Sequence, residues 1–142
     1  MSRRNVEIIR AGYEAFLRGD LETAFSVFAE DIEAVDDPAM IGQRVYVGKA
    51  GFARMLAATT EGFDDVRYYA DRFTDVGDSV LVDARRSGRG MLSGVTVEEH
   101  QHHVWELRDG RAVRFRLFLS RDDALAALRL GAEAESEPPR PR

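Results

Sequence analysis

The chain has 142 residues, close to the size of one domain, and carries a net charge of −5 with 44% hydrophobic and 32% charged residues. No apolar run approaches the ~18 residues that a membrane-spanning helix needs, and the acidic balance argues against binding of a nucleic-acid backbone. The absence of cysteine excludes disulfides, thiolate catalysis and cysteine-ligated metals. Since the N-terminus also lacks a signal-peptide pattern, we expect one cytoplasmic domain without a cofactor.

The first part of the chain predicts three helices and one short strand. Apolar residues recur there at helical spacing, Gly19 suits a left-handed helix stop, and Asp20 suits the N-cap of the next helix. Pro38 closes the strand because proline cannot continue regular pairing. The helices are predicted over residues 5–18, 21–31 and 49–61, the strand over residues 32–36, and a loop over residues 39–47.

From residue 66 onward the apolar pattern changes to period 2, which is typical of strands. The dipeptides Gly77-Asp78 and Asp109-Gly110 are favoured in hairpin turns. Residues 131–142 are rich in Glu, Pro and Arg, so a disordered tail is predicted after a single domain over residues 1–130. Four strands are predicted, over residues 66–75, 79–87, 95–107 and 111–119, with a glycine-rich loop over 88–94 and a last helix over 121–130.

This order of elements separates the helices from an antiparallel sheet, which defines the α+β class. A curved sheet wrapped around three helices is the natural way to bury one face of such a sheet. We therefore expect this architecture, with a short C-terminal helix added to it.

Four segments of the chain carry a family resemblance: Ala15–Ala24, Phe28–Pro38, Val104–Val113 and Ser120–Leu128. In this order and spacing they resemble the SnoaL-like branch of the nuclear-transport-factor-2-like superfamily, and the resemblance covers roughly residues 5–130. It implies a cone-shaped fold in which a strongly curved, mainly antiparallel sheet and the helices enclose a deep pocket. Because the superfamily includes ketosteroid isomerases, polyketide cyclases and non-catalytic binding modules, it implies no single activity.

Strand alternation divides each strand into two faces. The sets that contain Val82, Trp105 and Phe115 are the more apolar, so we place them toward the pocket. A few convergent polar groups among aromatic residues are typical of a small-molecule site. The candidate catalytic residues are Asp36, Asp37 and His103, and the candidate substrate-binding residues are Tyr13, Phe16, Arg86, Glu99, Gln101, Trp105, Phe115 and Leu117.

These residue types suit acid–base chemistry. An aspartate in a dry pocket has a raised pKa and can act as a base, and His103 could donate a hydrogen bond to an oxyanion or act as an acid or base. In ketosteroid isomerases the base precedes a strand-terminal proline, and Val35-Asp-Asp-Pro38 is similar to that region. By this resemblance the base is Asp37 when aligned on the proline and Asp36 when aligned on the strand. His103 falls where those enzymes place a protonated acid, and Tyr13 lies one residue out of register with their oxyanion tyrosine.

Structural alternatives stand beside each of these assignments. Asp36 or Asp37 could cap the turn at Pro38. Arg86 could form a buried ion pair with Asp36 or Glu99. His103 could be a hydrogen-bonded core histidine, and the aromatic residues could serve packing alone.

The outer face of the sheet offers two further interpretations. His100 and His102 share this face, but a third metal ligand is not evident, so no metal is predicted. Interleaved opposite charges on this face can form cross-strand pairs within one chain. The family resemblance, however, implies that so wide a curved sheet finds a partner, so we expect a symmetric homodimer through this face. The residues on it are Asp83, Arg85, Glu98, His100, His102, Glu106, Arg114 and Arg116, with Val104 and Phe118 among them.

The expected function is a pocket protein for a small hydrophobic ligand, without nucleic acid or membrane as partner. If it is an enzyme, we expect cofactor-independent acid–base chemistry on a hydrophobic carbonyl compound: isomerisation, cyclisation or dehydration. The alternative is a non-catalytic ligand-binding or dimerisation module. The pocket is expected to be closed by Phe16, Phe28 and Leu56, with its mouth near residues 37–47 and 88–94.

Overall fold

The computed structural model describes residues 2–42 and 44–136, and ten elements of secondary structure lie within them. The helices are α1 (Ser2–Leu17), α2 (Leu21–Phe25), α3 (Gly48–Thr60) and α4 (Arg121–Ser136). The strands are β1 (Phe28–Val35), β2 (Val45–Val47), β3 (Phe63–Val76), β4 (Ser79–Gly90), β5 (Thr96–Arg108) and β6 (Arg111–Phe118). This α+β organisation confirms the predicted fold class.

The six strands form one curved, unclosed sheet in the order β2-β1-β6-β5-β4-β3. Strands β3 to β6 form an antiparallel meander, while β1 pairs in parallel with β6 and antiparallel with β2. At the β5–β6 connection Asp109 and Gly110 have φ angles of 53° and 76°. Two consecutive positive φ angles fit the predicted hairpin turn.

Helices α1, α2 and α3 enclose the main hydrophobic core against one face of the sheet. Helix α1 packs on β3 and β4, α2 packs on α1, and α3 packs on β1 and β2. On the sheet side, Val80 and Val82 of β4 and Trp105 of β5 are buried in this core. The inward faces predicted for β4 and β5 are therefore confirmed.

The junction between α1 and α2 follows its predicted chemistry. Gly19 has a φ of +82°, the left-handed conformation that glycine adopts without steric cost. Asp20 is the N-cap of α2, and its side chain accepts a hydrogen bond from the backbone N–H of Thr23 at 3.1 Å. The chain therefore reverses here, so that α2 packs against α1.

The fourth helix lies on the other face of the sheet. Leu81 and Val104, which point away from the main core, form a second buried cluster with Ala124 and Leu128 of α4. Part of the face that we predict for a homodimer is thus covered by the chain itself.

Two predicted boundaries near the first strand are wrong. Helix α2 ends at Phe25 rather than near Asp31, and β1 already begins at Phe28. Residues 45–47, predicted as loop, form the edge strand β2. In both segments the backbone hydrogen bonds come from pairing with a strand elsewhere in the chain, which the local sequence does not show. The three residues of β2 are also too few to show a period-2 pattern.

The end of the last helix also differs from the prediction. Helix α4 continues to Ser136 rather than ending at residue 130, so residues 131–136 are helical instead of disordered. Alanine and glutamate have high helix propensity, which lets the helix continue through Gly131. The rest of the predicted tail, residues 137–142, lies outside the described residues.

A β-bulge changes the predicted inner face of β6. Glu106 pairs with Arg114 and Leu107 pairs with Ala112, so Val113 is the extra residue of the bulge. Strict alternation places Val113 inward, but the core residue at this level is the fully buried Ala112. Beyond the bulge the alternation of β6 follows the prediction again.

Candidate functional site

A cavity of about 90 Å³ lies between the three helices and the inner face of the sheet. Among the described residues, no Asp, Glu, Lys or Arg lines it. Of its lining residues, Leu17 and Tyr69 are exposed, whereas the residues from β5 and β6 are buried. The cavity is therefore a neutral and largely apolar space that approaches the surface beside the end of α1. Its apolar wall includes Phe16, Phe28, Phe52, Met55, Leu56 and Phe115.

A chain of hydrogen bonds runs along the sheet side of this cavity. The indole Nε1 of Trp105 donates to the hydroxyl of Tyr13 at 2.8 Å, and this hydroxyl lies 2.6 Å from Nδ1 of His103. On the other side of the imidazole, Nε2 of His103 lies 2.9 Å from Oε1 of Gln101. Gln101 Nε2 then donates to Oε1 of Glu99 at 2.8 Å. Five side chains from α1 and β5 thus form one continuous chain.

The two ends of this chain fix the direction of its hydrogen bonds. An indole N–H only donates, and a carboxylate only accepts. Gln101 therefore turns its NH₂ group toward Glu99 and its carbonyl toward His103, which makes His103 Nε2 a donor. In a neutral imidazole the other nitrogen, Nδ1, is then an acceptor, so Tyr13 donates to it.

Burial keeps His103 in this neutral form. Desolvation, with a smaller contribution from His102, lowers the pKa of His103 to about 3, against an opposing effect of Asp83. Burial likewise raises the pKa of Tyr13 above its usual range, although the hydrogen bond from Trp105 opposes this. Because both imidazole nitrogens are already bonded, His103 has the geometry of the core-histidine alternative and no N–H directed at a ligand.

Arg86 and Glu99 lie beyond the end of the cavity and do not line it. Arg86 Nη2 is 3.5 Å from Glu99 Oε1, and Arg86 Nη1 donates to the backbone carbonyl of Thr59 at 2.6 Å. Of the two partners considered for Arg86, the structure gives Glu99. The guanidinium therefore ties β4 and β5 to the last turn of α3.

Asp36 and Asp37 are both buried at the end of β1, and neither lines the cavity. Asp37 Oδ1 accepts the backbone N–H of Ala39 at 2.8 Å, and Oδ2 accepts the backbone N–H of Leu119 at 2.9 Å. Asp36 Oδ1 accepts the N–H of Asp37 at 2.9 Å. Asp37 thus caps the turn at Pro38, as the structural alternative predicts.

The candidate site residues fall into two groups. Asp36, Asp37, Arg86 and Glu99 lie outside the lining of the cavity. The mouth lies elsewhere than predicted, since no described residue of segments 37–47 and 88–94 lines the cavity. The candidates that do line it are Tyr13, Phe16, Gln101, His103, Trp105, Phe115 and Leu117, and so do the three predicted closing residues.

Three polar residues of the cavity lining, Thr59, Tyr68 and Tyr69, are not among the predicted site residues. Thr59 Oγ1 donates to the backbone carbonyl of Leu56 at 2.7 Å and lies 2.9 Å from the hydroxyl of Tyr68. Alternation along β3 places Tyr68 on the same face as Ala70, which also lines the cavity. That alternation is the signal that could have identified Tyr68 as a pocket residue.

Among residues 3–42 and 44–129, whose side chains the structure describes, no group of three or more His, Asp or Glu side chains is arranged to hold a metal ion. His102 is instead bonded to Asp83, with Nδ1 2.7 Å from Oδ1, and Arg121 of α4 donates to the same oxygen at 3.1 Å.

Within the described residues, no helix combines the length and the apolar character needed to cross a bilayer.

Several solved structures of other proteins have a similar fold. TerC, co-crystallised with polyporic acid, is 27% identical with a TM-score of 0.72, over 89% of this chain and 98% of that chain. An NTF2-like protein from Burkholderia thailandensis E264 is 25% identical with a TM-score of 0.73, over 80% and 88%. A protein with a ketosteroid isomerase-like fold from Catenulispora acidiphila DSM 44928, in complex with trimethylamine, is 20% identical with a TM-score of 0.66, over 84% and 90%.

Comparison of the sequence with curated proteins finds no match. The family model of the SnoaL-like domain, however, matches residues 9–115, which is well over half of the sequence and runs from the middle of α1 through most of β6. The chain therefore belongs to the SnoaL-like domain family.

Proposed function

We propose that this domain binds a compact, neutral and mainly apolar small molecule in the cavity. The observation that carries the proposal is the lining itself, which is aromatic and aliphatic and, among the described residues, free of Asp, Glu, Lys and Arg. An engineered apolar cavity of about 150 Å³ binds benzene. The present cavity of about 90 Å³ is smaller, so it admits at most a compound of one ring, and only if the wall adjusts to it.

Two proteins of the same fold support small-molecule binding. TerC was crystallised with polyporic acid, and the Catenulispora acidiphila protein was solved in complex with trimethylamine. Since one fold serves many chemistries, this support extends to the class of partner and not to its identity.

Acid–base catalysis on a hydrophobic carbonyl compound is the second candidate function. One observation favours it: burial raises the pKa of Asp36, and the nearby charges of Asp37 and Glu99 also raise it. A raised carboxyl pKa is what a general base near neutral pH requires. Asp36 does not line the cavity, however, and both nitrogens of His103 are bonded within the protein. Binding without turnover therefore fits the geometry better.

Binding can be followed through Trp105, which is the only tryptophan of the chain and lines the cavity. Titration with cyclohexanol should change its fluorescence saturably, because a bound ligand changes the surroundings of the indole and an alcohol does not absorb where tryptophan is excited. Cyclohexanone absorbs weakly in that region, so its binding is followed by the indole N–H signal in NMR. Ala84→Leu, or Leu56→Phe if the first variant does not fold, fills the cavity and should abolish this change. Ala53→Leu adds the same side chain at an exposed position of α3 and should leave binding intact.

Two outcomes would contradict the proposal. One is the absence of a saturable change in the folded wild-type protein, and the other is unaltered binding by a folded cavity-filling variant. Either would show that the cavity is not the ligand site.

Turnover is tested separately by exchange of the α-hydrogens of cyclohexanone in heavy water, followed by NMR. The proposal predicts no acceleration over buffer. Acceleration that Asp36→Asn removes would instead establish the acid–base candidate.

A further inference from the structure

We propose that the cavity selects hydrocarbons, such as cycloalkanes and small arenes, over compounds of the same shape that carry a hydroxyl or carbonyl group. The inference rests on the proposed function and deepens it by naming the class of ligand. It follows from the surface that the lining residues present to the cavity and from the bonds that their polar atoms already make.

The surface that the lining residues present to the cavity is almost entirely apolar. Several of these residues do carry a nitrogen or oxygen atom in the side chain, but they contribute to the wall through their rings and hydrocarbon segments. Hydrogen bonds within the protein engage most of these polar atoms, in two groups.

The first group lies on the sheet side of the cavity. The hydroxyl of Tyr13 accepts the indole N–H of Trp105 at 2.8 Å and donates to Nδ1 of His103 at 2.6 Å. The imidazole Nε2 donates to Gln101 at 2.9 Å, and the amide of Gln101 donates to Glu99 at 2.8 Å. Gln101 keeps a second amide proton, but the apolar character of the wall shows that this N–H is not presented to the cavity. These lining residues therefore direct their donors and acceptors into the protein.

The second group lies between α3 and β3. Thr59 Oγ1 donates to the backbone carbonyl of Leu56 at 2.7 Å and lies 2.9 Å from the hydroxyl of Tyr68. Tyr69, another lining residue with a hydroxyl, is exposed, and its ring lies 4.7 Å from the guanidinium of Arg85. The wall on this side is therefore also formed by carbon atoms.

The buried polar atoms that lack a partner lie elsewhere in the molecule. Among the residues whose side chains are described, they belong to Thr74, Arg114 and Arg116, and none of these lines the cavity. Small-molecule pockets usually orient a polar ligand through a few polar groups that converge on it. Over the described residues, the lining of this cavity has no buried side-chain nitrogen or oxygen left unpaired for that purpose.

A ligand hydroxyl or carbonyl group would give up its hydrogen bonds to water on entering the cavity and would find no replacement, which costs free energy. A methyl group at the same position has no such bonds to lose and gains from leaving water. The cavity therefore favours the hydrocarbon of a pair of compounds of matched shape, and the polarity of the wall sets the size of the preference.

Methylcyclohexane and cyclohexanol test this inference directly, because they carry a methyl group and a hydroxyl group of similar size on the same ring. Neither compound absorbs where tryptophan is excited, so titration of the full chain in sealed cells, followed by Trp105 fluorescence, gives both dissociation constants. We expect methylcyclohexane to bind more tightly, on the order of a hundredfold, because an unpaired hydroxyl in an apolar site carries a penalty of that order.

A variant that adds a hydroxyl to the wall tests the cause of the preference. Ala84 is buried on the inner face of β4 and lines the cavity. Ala84→Ser should lower the ratio of the two dissociation constants by up to about tenfold, which is the effect of one hydrogen bond to the alcohol. Ala70→Ser, on β3 in the same lining, provides the test if that variant does not fold. Ala53→Ser, at an exposed position of α3, is the matched control and should keep the full ratio.

The outcomes distinguish the inference from the proposed function. A wild-type ratio of about ten or less would mean that the wall supplies a hydrogen bond to the alcohol, which would overturn the selectivity while small-molecule binding would stand. An unchanged ratio in a folded serine variant of the wall would also overturn it, because the preference would not then depend on the polarity of the wall. If neither compound binds, the proposed function fails and the selectivity fails with it.

Discussion

Asp37 joins two distant parts of the chain through its two carboxylate oxygens. One oxygen holds the backbone of the turn that follows β1, and the other holds the backbone N–H of Leu119 just after β6. Since the residue is 5% exposed, these backbone groups would find little water to replace it. Asp37 therefore has the hydrogen bonds that the structural alternative predicts for it.

Asp37→Ala should therefore lower the free energy of unfolding by about 2 kcal/mol, because two backbone N–H groups lose their acceptor. Urea denaturation measures the loss. Asp31→Ala, at an exposed position, is the matched control and should change stability little. Wild-type stability of Asp37→Ala would show that these two hydrogen bonds contribute nothing.

His103 should make stability depend on pH. Its pKa is 6.5 when unperturbed and about 3 in the folded protein, so only the unfolded chain takes up a proton between these values. The stability contributed by neutral His103 is full above pH 6.5 and is lost as the pH falls toward 3, at up to about 1.4 kcal/mol per pH unit.

Unfolding by urea between neutral pH and pH of about 4 measures this slope. We expect His103→Gln to reduce the number of protons taken up on unfolding by about one, which flattens the slope of stability against pH. His100→Gln, at an exposed position, should keep the wild-type slope. Equal slopes for wild type and His103→Gln would mean that the buried histidine is not the titrating group.

The sequence predicts toward which face of a strand a side chain points, but it does not predict which distant residue that side chain contacts. Alternation places His103 and Trp105 on the inner face, because side-chain direction is a local property of a strand. The 2.6 Å contact between Tyr13 and His103 joins residues 90 positions apart. It depends on how α1 docks on the sheet, and no local pattern encodes that.

At the scale of elements, the sequence predicts a helix or strand when the pattern of that segment alone is sufficient to form it. The meander from β3 to β6 has a clear period-2 pattern and hairpin dipeptides, and its four strands are found in the predicted order. Two bounds are wrong: β3 begins at Phe63 rather than residue 66, and β4 continues to Gly90, into the predicted loop over 88–94, because the two strands pair with each other there. The edge strand β2 and the bulge at Val113 depend instead on the partner strand. Such features are set by pairing and are invisible in a single segment.

Helix α4 allows a test of which part of an element stabilises the fold. Leu128 is buried with Leu81 and Val104 of the sheet. Leu128→Ala should lower the free energy of unfolding by about 2–3 kcal/mol. Truncation after Leu130 removes only residues beyond this cluster and should leave the melting temperature within about a degree or two. A large loss on truncation would mean that residues 131–142 pack against the protein.

At the scale of the whole molecule, the remaining prediction concerns the oligomeric state. Helix α4 occupies the part of the outer face around Leu81 and Val104, and beside it Arg85 pairs with Asp71 at 2.7 Å and with Glu98 at 3.7 Å. We expect a symmetric homodimer through this remaining charged surface. Light scattering at micromolar concentration should give twice the monomer mass, and Arg85→Glu should reduce it. A monomer mass for the wild type would contradict the expectation.

The central claim is that the cavity is a site for a compact apolar small molecule. The most direct measurement is a crystal structure of the chain with cyclohexanol. We predict the ligand within the cavity, in contact with Trp105 and the other aromatic residues of the wall. An empty cavity at saturating cyclohexanol, or a ligand bound only at the protein surface, would contradict the account.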